Sequence, residues 1–160
     1  MSKEEFMRRA IELSREGMLS GNGGPFGTVI VKNSKIVGEA YNRVLSTNDP
    51  TAHAEVLAIR EASQKLGTFD LSGCELCVIG LPCAMCLASM LWAKIDRLYY
   101  VLKPEDAAEI GFDDRHVYEE VAKPVDIRKL PAIEMRQLHG EARAVYDLWK
   151  NRADKTTYAV

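Results

Sequence analysis

The sequence predicts an α/β fold, a three-layer α/β/α sandwich around a mixed central sheet. Three observations lead there. Beyond residue 50, strand-like runs alternate with helical ones, an order that lays helices over a sheet. Thr28–Lys32 and Lys35–Tyr41 are separated only by Asn33-Ser34, so a hairpin opens the sheet and makes it mixed rather than wholly parallel. The 160 residues, 47% hydrophobic and 28% charged, suffice for one core without disulfide staples, so the chain reads as a single domain over 1–160.

Taken in order, Lys3–Ser20 reads as an amphipathic helix. Phe6, Ala10 and Ser14 follow at four-residue steps, with Met7, Ile11 and Met18 near the same stripe. Gly21-Asn22-Gly23-Gly24-Pro25 ends it and forms a loop that can approach a ligand closely. After the hairpin, Asn42–Asp49 reads as a polar loop. Asp49 suits an N-cap and Pro50 a first helical position, which predicts a helix over 50–65 with Val56, Ile59 and Ala62 inward and Gly67 past its end. Cys74–Ile79 reads as a buried strand, 82–92 as a helix opened by Pro82, and Arg97–Leu102 as a further strand. The stretch that follows, with Pro104, Gly111 and Pro124, reads as loop. Ile133–Leu138 is expected to form a last strand, and Glu141–Arg152 a last helix with Val145 and Trp149 on one side.

Composition narrows the function. Lys plus Arg number 21 against 23 Asp plus Glu, a net charge of −2, and no polybasic run occurs. That balance disfavours nucleic acid as an obligatory partner. No run of 18 apolar residues is present, and the polar, acidic start Met1-Ser2-Lys3-Glu4-Glu5 is unlike a secretory signal, so no membrane association and a cytoplasmic location are expected. The four cysteines, 74, 77, 83 and 86, are clustered rather than spread as in a disulfide scaffold, which points to metal or redox chemistry.

Two helix starts carry metal-ligand residue types, Thr51-Ala52-His53-Ala54-Glu55 and Pro82-Cys83-Ala84-Met85-Cys86. Cys83 and Cys86, three apart, share a helix face in a first turn, where the dipole favours thiolate. One nitrogen and two sulfurs leave the fourth position of a tetrahedral zinc open to water, the pattern of a catalytic rather than a structural site. Glu55 is then a proton-transferring base beside the metal instead of a ligand. Two other readings stand beside this one. A four-cysteine site conflicts with the odd spacing of Cys74 and Cys77 along a strand, which turns them to opposite faces as fillers, and with the five residues between the two pairs. A redox pair at Cys83 and Cys86 leaves His53 and Glu55 without a role. His116 and His139 read as surface or loop histidines, and Asp113 as a solvated acid.

His53-Ala54-Glu55 followed by Pro82-Cys83-x-x-Cys86 matches the H-x-E…P-C-x-x-C signature of zinc nucleobase deaminases. The chain resembles the cytidine deaminase superfamily along essentially its whole length, and within it the bacterial guanine deaminases. The further matching stretches are Gly23-Gly24-Pro25-Phe26-Gly27, Asn48-Asp49-Pro50-Thr51-Ala52, Trp92-Ala93 and Ala107–Asp114, the last distinguishing this branch by its Gly-Phe-Asp-Asp.

The resemblance implies a cytidine-deaminase-like sandwich and one zinc per chain held by His53, Cys83 and Cys86. It implies Glu55 as proton shuttle and Asp114 as a second catalytic acid that contacts the purine. It further implies a substrate site formed by Phe26, Asn42, Ala54, Trp92 and Tyr158. Its partner implication is a homodimer in which the C-terminal segment, about 140–160, swaps and lends a tyrosine to the neighbouring site, Tyr158 being the nearest match.

The chain departs from the family pattern at Ile79, Gly80 and Leu81 ahead of Pro82, at Ala84, and at Ala159-Val160, where a terminal tyrosine is usual. The expected activity is hydrolytic deamination of an aminopurine, guanine to xanthine and ammonia. The alternatives are guanosine, an aminated triazine or pterin, or tRNA adenosine as substrate, and a zinc-folded binding module without catalysis.

Overall fold

The computed structural model describes residues 2–158. These divide into two compact units, 2–118 and 119–158. The first opens with α1 (Lys3–Leu19), started by a capping box. The Ser2 hydroxyl accepts from the Glu5 N–H, and the Glu5 carboxylate accepts from the Ser2 N–H. The hairpin of β1 (Gly27–Lys32) and β2 (Lys35–Tyr41) follows. Asn33 and Ser34 both take positive φ, 50° and 60°, the left-handed pair that a two-residue hairpin turn requires. Next come α2 (Val44–Thr47), α3 (Ala54–Leu66), β3 (Cys74–Gly80), α4 (Ala84–Trp92) and β4 (Arg97–Leu102).

The sheet order is β2-β1-β3-β4, with β1 antiparallel to both neighbours and β3 parallel to β4. Alternation along the strands sends side chains to two faces. On one, Val29, Val31 and Cys77 pack against Phe6, Ala10 and Leu13 of α1. On the other, Ile30, Cys74, Leu76 and Val78 pack against Ala58 and Ala62 of α3 and Cys86 and Met90 of α4. The mixed sheet between two helical layers is the expected sandwich, and Cys74 and Cys77 do lie on opposite faces.

Several elements differ from expectation. The stretch after Asn42 contains one helical turn, α2. The helix expected to start at Pro50 starts at Ala54, because Asp49 is used otherwise. Its Oδ1 accepts from both the backbone N–H and the hydroxyl of Thr51, at 2.8 and 2.7 Å, closing a local turn instead of capping a helix. The stretch after β4 is helical, with α5 (Pro104–Glu109) and α6 (Arg115–Ala122). Asp106 accepts from the Lys103 N–H at 2.7 Å and Pro104 takes the first helical position, a start signal read as loop.

The second unit holds single 3-10 turns at Val125–Ile127 and Arg136–Leu138 and then α7 (His139–Lys150). The strand expected over Ile133–Leu138 is absent. Nearly every side chain of residues 119–158 is exposed, Leu130 and Ile133 at 82% and 86%. Ala159-Val160 lies outside the described residues.

Candidate active site

Two helix starts converge. His53 is the N-cap of α3 and Cys83 the N-cap of α4, both with extended backbone (φ −71°, ψ 151° and φ −67°, ψ 169°), and neither side chain caps its own helix. They turn toward each other. His53 Nδ1 lies 3.6 Å from Cys83 Sγ and 3.4 Å from Cys86 Sγ, and the three donor atoms sit within 4.8 Å of one another. A tetrahedral zinc with ordinary Zn–N and Zn–S bonds sets that nitrogen–sulfur edge at about 3.6 Å. The spacing and the donor chemistry therefore both fit zinc, with the fourth position free of protein ligands. Cys74 and Cys77 take no part, since each is buried in a core layer.

The thiols share one proton unequally. The Cys86 thiol, and then His53, hold Cys83 down to about 4, while Cys86, as donor to Cys83 and itself buried, is pushed up. The Cys83 sulfur in turn raises the His53 imidazole. One thiolate thus stands ready as a metal ligand without an external base.

His53 and Cys83 form one wall of a cavity of about 440 Å³ that Glu55, Phe26, Asn42, Asp114, Phe112, His116 and Leu81 also line. Glu55, in the first turn of α3, is only 6% exposed, and burial raises its carboxyl above the ordinary range. Asp114, between α5 and α6, is raised by burial and then by the Cys83 sulfur.

Strand pairing sets Phe26 and Asn42 side by side, the Asn42 N–H donating to the Phe26 carbonyl at 2.9 Å. Asn42 Oδ1 accepts from the Val44 N–H at 3.1 Å, which leaves its amide N–H₂ as the group to donate elsewhere. Only glycines fit the loop above. A Cβ at Gly23 would fall 2.1 Å from Asn42 Oδ1, and one at Gly24 2.9 Å from both the Phe26 and Phe112 rings. Those rings meet edge to face, centroids 5.0 Å apart.

Of the residues expected at the substrate site, Phe26, Asn42 and Asp114 are thus brought to the triad and Glu55. Ala54 is fully buried as the first residue of α3 and its side chain does not line the cavity. Trp92 was expected to line the pocket. It ends α4, about 12 Å along the axis from the turn that faces the metal triad, and is 58% exposed instead of lining the cavity. Tyr158 belongs to the second unit, where it borders a shallow depression with Tyr146, Trp149 and Lys150. His116, expected on the surface, lines the cavity from the first turn of α6, and Asp113 lines it while paired to Arg115 at 2.5 Å. Phe112 has no counterpart among the expected residues. Its one sequence signal is its place beside Asp113-Asp114.

The family model of the cytidine and deoxycytidylate deaminase zinc-binding region matches residues 1–102. The chain belongs to this family of zinc-dependent deaminases, and its His53, Cys83 and Cys86 group fits one zinc ion per chain. It is 43% identical over 158 residues to the guanine deaminase of Bacillus subtilis, 99% of this chain and 100% of that one. The crystal structure of guanine deaminase from the same organism superposes with a TM-score of 0.91 at 42% identity, again over 99% of this chain and 100% of that one. A tRNA-specific adenosine deaminase of Aquifex aeolicus is 40% identical over 100 residues, covering 62% of this chain and 66% of that one. The family match stops at residue 102, whereas Phe112, Asp113, Asp114 and His116 lie beyond it. The cavity therefore joins a metal half within the matched region to a half beyond it. Among the described residues, no helix is long and apolar enough to cross a membrane.

Proposed function

We propose that this chain deaminates free guanine hydrolytically, giving xanthine and ammonia. The observation that carries the reading is the pairing of Glu55 with Asp114 in one cavity beside the His53–Cys83–Cys86 group, in a chain similar end to end to a guanine deaminase.

In this reading His53, Cys83 and Cys86 hold zinc, which when bound supplies the Lewis acidity that makes water a nucleophile near neutral pH. Glu55 takes a proton from the attacking water and delivers it to a ring nitrogen as the new C–O bond forms at the carbon bearing the exocyclic amine. A second proton from the same water passes through Glu55 to that amine. The C–N bond then breaks, ammonia leaves and the carbonyl of xanthine remains, so guanine and water account for all atoms. Burial suits Glu55 to this work, because a carboxyl with a raised pKa gives its proton up and takes it back at similar cost. Phe26 stacks on the flat ring, Asn42 donates its amide N–H to a ring acceptor, and Asp114 accepts from a ring N–H and assists proton transfer.

The chain also acts, in this reading, as a cytoplasmic homodimer in which the segment from about 140 to 160 crosses to the partner and brings Tyr158 to the neighbouring site. Exposed apolar side chains support the dimer, with Tyr146 and Leu148 at 73% and 71% in the C-terminal unit and Leu91 and Trp92 at 57% and 58% on α4. A reducing compartment keeps the Cys83 and Cys86 thiols available for metal.

Ammonia release from guanine, guanosine, adenine, cytosine, an aminated triazine, a pterin and a tRNA anticodon stem-loop tests the substrate. The highest kcat/KM is expected for guanine. No turnover of guanine, with turnover of any other member, overturns the reading. Zinc content without deamination of any member points to a binding module.

A further inference from the structure

We infer that Tyr118 is a positioning residue that ties the Asp114 side of the cavity to the peptide bearing the metal ligand Cys83. The Tyr118 hydroxyl, on α6, donates to the Pro82 carbonyl at 2.6 Å. Pro82 is buried and precedes the helix. The ladder of α4 begins one residue later, where the Leu87 N–H donates to the Cys83 carbonyl at 2.9 Å, so the Pro82 oxygen has no partner in the helix. A peptide is planar, so a hydrogen bond that fixes this oxygen also fixes the Cα of Cys83 and the direction in which its sulfur leaves.

The other end of the bond sits one helical turn after Asp114. The Val117 N–H donates to the Asp114 carbonyl at 2.9 Å as α6 begins, and a four-residue step places Tyr118 on the same side as Asp114. One hydrogen bond therefore spans the two halves of the cavity, the metal half within residues 1–102 and the half beyond it. Burial, followed by the Asp114 carboxylate and the Cys83 sulfur, keeps the hydroxyl protonated and hence a donor. Tyr118 does not line the cavity, so it acts through Cys83 and Asp114 and not on substrate.

The kinetic part of this inference rests on the guanine reading, so its test carries a spectroscopic arm that does not. Tyr118→Phe keeps the ring and removes only the hydroxyl. Tyr99→Phe, which deletes a hydroxyl bonded to Glu75 at 3.2 Å outside the cavity, is the matched control. Both proteins and wild type are loaded with cobalt(II), and the thiolate-to-cobalt charge-transfer band, the rate of metal release to a chelator, circular dichroism and thermal midpoint are recorded. Tyr118→Phe is expected to shift the band, to release metal about 3- to 10-fold faster, and to lower kcat for guanine by a similar factor with KM unchanged, the scale of one lost hydrogen bond. Tyr99→Phe is expected to match wild type. A wild-type band and release rate in Tyr118→Phe overturn the inference, whatever the activity. So does a global loss of fold in that variant, because the hydroxyl is then structural. Wild-type inactivity on guanine, with the band still shifted, sinks the substrate reading and leaves Tyr118 in place.

Discussion

Glu55 and Asp114 offer two carboxyls to one cavity, and in both burial is the largest cause raising the pKa. Their predicted losses differ in kind. Glu55→Gln has the same shape and cannot accept a proton. It should keep one zinc per chain and the wild-type circular dichroism while kcat for guanine falls at least about 100-fold, the lower end for a lost general base. Asp114→Asn should keep zinc and lower kcat/KM for guanine by at least about 10-fold, since a substrate N–H then faces no acceptor. Equal wild-type and mutant kinetics would reduce Asp114 to a loop residue. The metal ligands and Glu55 were legible in the sequence because their chemistry demands fixed residue types at fixed spacing. Phe112 and His116 were not, because an aromatic ring or imidazole in an irregular stretch carries no period, and only the folded chain shows that both face the cavity. Trp92 was assigned to the pocket by the motif it belongs to, and helix length sets it at the far end of α4, away from the cavity of its own chain.

At the scale of elements, alternation and helical period gave the sheet and its covering helices within a residue or two, the start of α3 excepted. The failures came where good local signals lost to tertiary demand. Asp49 and Pro50 are a strong helix start by type, yet the chain holds them in a turn so that His53 becomes the N-cap and faces Cys83. Ile133–Leu138 alternates like a strand, but alternation makes a strand only beside a free sheet edge, and these residues pair with none. Two predictions belong here. Cys74→Ala and Cys77→Ala, each in a core layer, should leave zinc content at one per chain, whereas Cys83→Ala should lose it. Equal loss in Cys74→Ala would revive a four-cysteine site.

The second concerns the clip between α1 and the edge strand β2. Arg9 donates to both Glu39 oxygens, at 2.8 and 3.1 Å, and this holds the Glu39 carboxyl below its usual range. A depressed carboxyl contributes its full stability above its unfolded pKa, about 4.3, and loses it as pH falls from there through the lower folded value. Glu39→Gln should therefore cost about 1 kcal/mol at pH 7 and show a shallower loss of stability between about pH 5 and pH 3 in denaturant titrations. Parallel acid limbs would show that the clip contributes nothing.

For the whole molecule, the exposed apolar side chains of residues 119–158 predict association. Sedimentation should give a dimer, and Leu148→Glu on α7 should shift it to monomer and depress guanine turnover while leaving the circular dichroism of the first unit intact. A wild-type monomer with full activity would remove the proposed swap.

His53 and Cys83 are 30 positions apart in the chain yet 3.6 Å apart at their ligand atoms. Any ion bound by both closes a covalent ring through α3 and β3, as a disulfide would. By loop-closure entropy such a ring denies the unfolded chain about 3.5 kcal/mol of freedom, provided the metal stays bound there. Stripping the metal reopens the ring at the first turns of α3 and α4, where the backbone has no side-chain caps to hold it. Amide hydrogen exchange after chelation should accordingly quicken first at Glu55–Leu57 and Ala84–Leu87, well before the β1–β3 ladder opens.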